Sequence, residues 1–215
     1  MDFHMRNTTF ISSMVLSVAC VSAANAGVVD PFTVGSTVTD PDGIAVETSI
    51  TGGLWDSRAT SVLVNPTKTS ASIDVNATTN ALTFAVTRLV ANTQSQQAEI
   101  NYNNVAAAAN NLSNFTSLTF DYSSTFASLL LYIDLGGKIA TKTISASAGG
   151  TFTLNANELG GAFTGDYLIL QFNRYNSNAS GSFTMTNLVA NGIPAPGAIA
   201  LLGAAGLVGG RRRRA

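Results

Sequence analysis

The residue types that most often carry out chemistry in proteins are scarce in this sequence. The only histidine, His4, and the only cysteine, Cys20, both fall within the first 26 residues. If that segment is a removable export signal, as its composition indicates below, the remaining chain has neither a thiol nor an imidazole. Disulfides, Cys/His zinc sites, a thiol nucleophile and any triad with a histidine base are then excluded.

Carboxylates are the remaining candidates for acid–base chemistry. A glycosidase needs two of them at a defined separation beside a cleft. The sequence places no such pair, and nothing concentrates carboxylates near aromatic residues. We therefore predict no catalytic residues and a protein that is not an enzyme, with a secreted glycoside hydrolase as the least favoured alternative. The carboxylates considered are Asp121, Asp134, Glu158 and Asp166.

Two groups of residues are of types that bind sugars. The only tryptophan, Trp55, follows two glycines and lies near Arg58. An indole could stack on the apolar face of a sugar ring while the arginine binds hydroxyls; the alternative is a core tryptophan. Arg174 and Tyr175 fall in a polar segment after an apolar run, and there the alternative is an ordinary solvated loop.

A third candidate is a metal site. Asp40 and Asp42, in the segment Asp40-Pro41-Asp42-Gly43, offer carboxylate oxygens of the kind that calcium prefers. The full EF-hand spacing is absent, and a plain turn is the alternative. We predict no cofactor, with structural calcium at these two residues as the exception.

Residues 27–192, the predicted mature domain, contain six basic and eleven acidic residues, a net charge of −5. This excess of acidic residues gives no basic patch for nucleic acid. The surface must instead be polar through Ser, Thr and Asn. A secreted protein exposed to polysaccharide fits this composition.

The elements that position these residues are short strands. About ten Thr-rich apolar runs are separated by Gly, Asn and Pro turns, and no amphipathic helix is present. Asp30-Pro31 and Gly35-Ser36 predict turns ahead of the first run. Gly136-Gly137 predicts a tight hairpin, and the runs 128–134 and 167–173 are apolar enough for central strands. We predict an all-β fold, an antiparallel two-sheet sandwich that is jelly-roll-like, with an immunoglobulin-like order as the alternative.

The N-terminus has the pattern of a secretory signal peptide. Arg6 precedes an apolar stretch, and Ala24 and Ala26 occupy the two small-residue positions that signal peptidase recognises. We predict a signal peptide over residues 1–26. A lipoprotein signal at Cys20 is the alternative, but Ser17 stands where that pattern requires leucine.

The C-terminus combines three features. Pro194, Ala195 and Pro196 form an extended segment, because proline cannot continue a helix or strand. A run without charge, 197–210, is too short as a helix to cross a bilayer comfortably. Four arginines follow this run: Arg211, Arg212, Arg213 and Arg214. Their positive charge would keep them in the cytoplasm.

This order of features resembles the PEP-CTERM sorting signal, over residues 193–215 alone. Ala195 replaces the glutamate usual in that family. The resemblance implies processing by exosortase, a membrane transpeptidase, after transient anchoring in the inner membrane, and a final place at the cell surface or outside the cell. A permanent membrane anchor formed by a C-terminal hydrophobic helix is the alternative.

These observations favour a non-catalytic exported cell-surface or extracellular-matrix protein, associated with exopolysaccharide. Its expected partners are signal peptidase and exosortase during processing, and polysaccharide afterwards. The alternative from a different class is a carbohydrate-binding jelly-roll module with a specific glycan ligand. The predicted domains are the signal peptide 1–26, the β-sandwich 27–192 and the sorting signal 193–215.

Overall fold

The computed structural model describes residues 26–39, 46–50, 53–63, 69–89, 94–103, 112–162, 164–177 and 179–193. Eleven strands lie in these ranges, and two short 3₁₀ turns cover Leu112–Asn114 and Ala156–Glu158. The strands are β1 (Ala26–Asp30), β2 (Ser36–Thr39), β3 (Val46–Ser49), β4 (Ser57–Leu63), β5 (Thr69–Asn76), β6 (Ala81–Arg88), β7 (Gln94–Asn103), β8 (Ser117–Leu135), β9 (Lys138–Asn155), β10 (Leu168–Ser177) and β11 (Gly181–Asn191).

One long hairpin, β8 with β9, belongs to both sheets of the fold. The first half of β8 pairs with β11, and its second half pairs with β10. The ladder changes register near Ser124, where the hairpin passes from one sheet to the other. The first sheet therefore contains β2, β5, β6, β11, β1 and one half of the hairpin, and the second contains β3, β4, β7, β10 and the other half.

All the strand pairs are antiparallel, so the described part of the chain is an all-β, jelly-roll-like sandwich, as predicted. The core lies between the sheets and is rich in phenylalanine. The rings of Phe172 on β10 and Phe183 on β11 approach to 4.9 Å between centroids across the two sheets. Both side chains are fully buried, so they fasten one sheet to the other.

The tight turn predicted at Gly136-Gly137 is confirmed. Their φ angles are +58° and +94°, which a type I′ turn requires at both central positions and which glycine adopts without strain. The run 128–134 is also confirmed as interior to a sheet, since it lies between β10 and β9.

The turns predicted at Asp30-Pro31 and Gly35-Ser36 border two strands that were not predicted, β1 and β2, which pair with β11 and β5. One prediction of local structure needs correction. The runs 118–122 and 128–134 were expected to be separate strands, and they are one strand, β8. Of the predicted signal segments 1–26 and 193–215, only Ala26 and Ile193 are described; Ala24, Pro194, Ala195, Pro196 and the four arginines lie outside the described residues, as do Asp40 and Asp42.

Candidate functional site

The outer surface of the second sheet carries a regular array of polar side chains. Residues 98, 100 and 102 of β7 point into the core, so Gln97, Glu99 and Asn101 point outward. The strand registers align these residues with outward-facing positions of β4, β10, β8 and β9. We call this surface the polar face. Its three rows are Ser61, Glu99, Gln171, Tyr132 and Thr141; Ala59, Asn101, Ile169, Asp134 and Ile139; and Leu63, Gln97, Asn173, Leu130 and Thr143.

Three tyrosines follow the length of the polar face. Tyr132 lies in its middle row, half-buried. Tyr175 lies two residues beyond Asn173 on β10, with 61% of its surface exposed, and helps to line a concavity of about 110 Å³ with Leu63 and Gln97. At the other end Tyr167 donates a hydrogen bond to the Asp134 carboxylate at 3.4 Å. At about 3.4 Å per residue, Tyr167 and Tyr175 are about 27 Å apart along the strand.

The centre of the polar face is held in place by its own hydrogen bonds. Gln171 donates through Nε2 to the Glu99 carboxylate at 2.6 Å, so the carbonyl oxygen of that amide points away from the pair. Burial raises the pKa of Tyr132, and the nearby Asp134 carboxylate raises it further. The phenol therefore stays protonated at neutral pH and keeps a hydroxyl proton to donate.

Among the described residues, one buried acceptor on the polar face has no hydrogen-bond partner. The Oδ1 atom of Asn101 is buried and accepts no hydrogen bond from the part of the chain that the structure describes. An unsatisfied buried acceptor costs roughly 1–3 kcal/mol unless water or a ligand donates to it. Asn101 stands in the row next to Tyr132, so water or another donor that reached its Oδ1 from this face would remove the cost.

The structure corrects the hypothesis that Trp55 forms a sugar platform. The residue is 1% exposed, and its indole N–H donates to the backbone oxygen of Asp166 at 3.1 Å. Its ring packs against Tyr102 with 6.0 Å between centroids. Trp55 is therefore the core tryptophan of the alternative interpretation, and it presents no face to a ligand.

Arg58 is also buried, and its partners are internal. It is fully inaccessible, forms an ion pair with Asp30 and donates through Nη2 to the Val34 carbonyl at 2.7 Å. The Tyr102 hydroxyl donates to the same Asp30 carboxylate at 3.3 Å. Burial raises the pKa of Tyr102 well above its usual value, and the charge of Asp30 raises it further. This cluster joins β1 of the first sheet to β4 and β7 of the second, so the expected ligand-binding role of Arg58 is corrected to a structural one.

The predicted pair Arg174 and Tyr175 is divided between the two sides of β10. Arg174 is 4% exposed, and its guanidinium carbon lies 4.1 Å from the centroid of the Phe126 ring. Burial lowers its pKa. Arg174 is thus corrected to an internal residue, while Tyr175 faces outward at the end of the polar face and stays a candidate.

The remaining candidates give no catalytic arrangement. Asp121 and Asp134 lie on the outer surfaces of different sheets, and Glu158 is engaged by Lys142. In the described ranges no group of three His, Cys, Asp or Glu side chains could hold a metal ion. Among the same residues, no helix is long and apolar enough to cross a membrane.

Comparison with solved structures finds sandwiches of low sequence identity. A family 11 carbohydrate-binding module from a cellulosomal cellulase of Clostridium thermocellum aligns with 80% of this chain and 98% of its own, at 13% identity and a TM-score of 0.43. A mutant family 29 module in complex with mannohexaose aligns with 80% and 94% of the two chains, at 12% identity and a TM-score of 0.42. A family 61 module in complex with β-1,4-galactotriose aligns with 60% and 85%, at 11% identity and a TM-score of 0.36.

No protein-family model and no curated protein matches this sequence. Similarity at these identities and TM-scores does not assign a ligand to the chain. The case for a binding site therefore rests on the polar face itself.

Proposed function

We propose that this protein is an exported, non-catalytic module that binds a neutral polysaccharide on its polar face. The observation that carries the proposal is the aligned row Ser61, Glu99, Gln171, Tyr132 and Thr141 across five strands. Adjacent strands lie about 4.8 Å apart, so the row spans about 19 Å of rigid surface. Side chains on paired strands are better positioned for recognition than side chains on loops.

The chemistry of the polar face suits sugars. A pyranose ring presents C–H groups on its faces and hydroxyls around its edge. The flat ring of Tyr132 can pack against the C–H groups, as aromatic side chains do with other apolar surfaces. Amide and carboxylate oxygens beside it accept from hydroxyls, and amide nitrogens donate to them.

Charge narrows the ligand class. Two carboxylates, Glu99 and Asp134, stand on the polar face, and no lysine or arginine occupies any position of its three rows. The mature domain as predicted carries −5 overall. A polyuronate or sulfated polymer would meet electrostatic repulsion at this surface, whereas a neutral glycan would not.

Export and sorting are the second part of the proposal, and the two terminal segments support them. Ala26 pairs with Asn191, so the two predicted signals adjoin neighbouring positions of the domain. Removal after Ala26 would take only one residue from β1. We propose processing by signal peptidase and by an exosortase-type transpeptidase, which would place the module at the surface of a cell that makes exopolysaccharide.

The ligand class can be tested by affinity electrophoresis of the purified protein. Gels would contain galactomannan, mixed-linkage β-glucan or β-1,4-galactan as neutral polymers, and polygalacturonate as the acidic one. We expect at least one neutral polymer to retard migration of the protein, and this retardation to be the same at higher salt. Polygalacturonate should have no effect on migration. Retardation by polygalacturonate alone, or by none of the polymers, would contradict the proposal.

A further inference from the structure

A second concavity lies on the outer surface of the first sheet, on the opposite side of the sandwich from the polar face. It has a volume of about 370 Å³ and is formed by the three adjacent strands β11, β8 and β9. This size falls within the range of small-ligand sites. Its polar lining includes Asp121, Ser123, Thr184 and Thr186. Tyr122 also borders it, but the ring of this residue packs on the core side of the sheet, against Phe120 and Phe183.

The carboxylate of Asp121 is fixed in this concavity from both sides. Thr151 donates to Oδ1 at 2.7 Å, and Asn187 donates through Nδ2 to Oδ2 at 2.8 Å. These hydrogen bonds, that of Asn187 first, lower the pKa of Asp121, so the group is ionised at neutral pH. A carboxylate has about four acceptor positions, and two of them remain for ligand hydroxyls.

Backbone irregularities on two strands shape the site. Asn187 has a φ of +53°, an uncommon conformation for a residue other than glycine, and it lies where the β11–β8 ladder shifts register. The β9 ladder also shifts register, next to the pair Gly149-Gly150. Bulges of this kind redirect side chains and are over-represented beside functional sites.

Gly149 leaves room in the concavity. A Cβ atom added at Gly149 would meet no heavy atom within 4 Å, so the space beside it is empty. Gly150 pairs with Tyr122, and a Cβ atom at Gly150 would lie 3.3 Å from Cε1 of that residue, on the core side of the sheet. A ligand that entered the concavity would therefore meet hydroxyls and an oriented carboxylate.

We propose that this concavity is a second glycan site, which takes a short neutral sugar segment by its hydroxyls and makes the module bivalent. The inference rests on the proposed function for the choice of ligand class, but on different residues and a different sheet. Because the two sites face away from each other, one molecule would hold two polysaccharide chains. A bivalent module would cross-link a matrix instead of only coating it.

Isothermal titration of the full-length protein with cellohexaose, mannohexaose and β-1,4-galactotriose tests this inference. Gly149→Tyr introduces a bulky side chain beside the concavity, at a position where a Cβ atom meets no heavy atom within 4 Å. Ser145→Tyr places the same side chain at an exposed position of the same strand as a control. Tyr132→Ala disables the polar face separately. We expect the unaltered protein to bind two ligands, and either Gly149→Tyr or Tyr132→Ala to reduce this number to one. The affinity of the disabled site should fall at least tenfold in each case.

The outcomes separate the two proposals. A single site that Tyr132→Ala removes and Gly149→Tyr leaves unchanged would overturn the second site and keep the first. A single site that only Gly149→Tyr removes would support the concavity and overturn the polar face. An equal effect of Ser145→Tyr and Gly149→Tyr, or no binding of any of the three probes at millimolar concentration, would overturn the inference.

Discussion

Replacing Asp30 by asparagine should cost about 3–5 kcal/mol of the free energy of unfolding, the largest effect expected for a polar substitution in this protein. The side chains of Asp30 and Arg58 are 1% and 0% exposed. The substituted amide would keep the shape of the carboxylate but leave the Arg58 charge uncompensated between the sheets, and Tyr102 would lose a charged acceptor. Urea denaturation at neutral pH measures the change.

Two further variants make this prediction specific. Asp74→Asn, at a surface aspartate that accepts from Thr37, should change the free energy of unfolding by no more than about 0.5 kcal/mol. Joint replacement of Asp30 by leucine and Arg58 by methionine should recover much of the loss, because it removes both buried charges. A loss below about 1 kcal/mol for Asp30→Asn would show that the ion pair does not fasten β1 to the second sheet.

Tyr132→Ala should weaken binding to the retarding neutral polysaccharide by about 2 kcal/mol, or about thirtyfold, while the fold is retained. The ring lies in the middle row of the polar face and is only half-buried, so its removal takes away contact area without opening the core. Titration calorimetry gives the affinity, and thermal unfolding verifies the fold.

Conservative and distant changes serve as controls for Tyr132→Ala. Tyr132→Phe keeps the ring and removes one hydrogen bond, so about 1 kcal/mol should be lost. Thr87→Ala, at an exposed position of β6 in the other sheet, should leave the affinity unchanged. If Tyr132→Ala binds as well as the unaltered protein, the ligand does not use the polar face.

The fold class was largely predictable because the turns between the strands carry distinct residues. Gly136-Gly137 identified the central hairpin, the apolar run 128–134 identified its first arm, and period-two alternation over 138–145 identified its second. The joining of runs 118–122 and 128–134 into β8 was not predictable, since the serines and threonine between them look like a turn. That segment contains both register shifts of the β8–β9 ladder, and it is held by the pairs Ser124–Ser147 with β9 and Ser123–Thr184 with β11.

The N-terminal strands were missed for a similar reason. Asp30-Pro31 carries a strong turn signal, and β1 ends there. The segment before it has no alternation, and its pairing with β11, 158 to 165 positions later along the chain, is a tertiary effect. Arg58 was expected at the surface because arginine is seldom buried, and its partner Asp30 is distant in the sequence.

The polar face was partly visible in the sequence. In β7 the polar residues Gln97, Glu99 and Asn101 alternate with apolar ones, which predicts one face turned away from the core. The sequence did not identify Tyr132 as an outward-facing residue. The run 128–134 is apolar on both sides, since Leu130 also lies on the outer side, and it therefore shows no alternation. The alignment of side chains into rows depends on the register between paired strands. The sequence of one strand does not contain that information.

The most direct test of the account is an NMR titration of ¹⁵N-labelled protein with an oligosaccharide of the polymer it binds. We predict saturable shifts of the side-chain amide signals of Asn101 and Gln171, and of the backbone amides of Glu99 and Tyr132. Signals around Trp55, in the core, should stay in place. Saturable binding that leaves Asn101, Gln171 and Tyr132 unshifted would contradict the central claim that the polar face binds glycan.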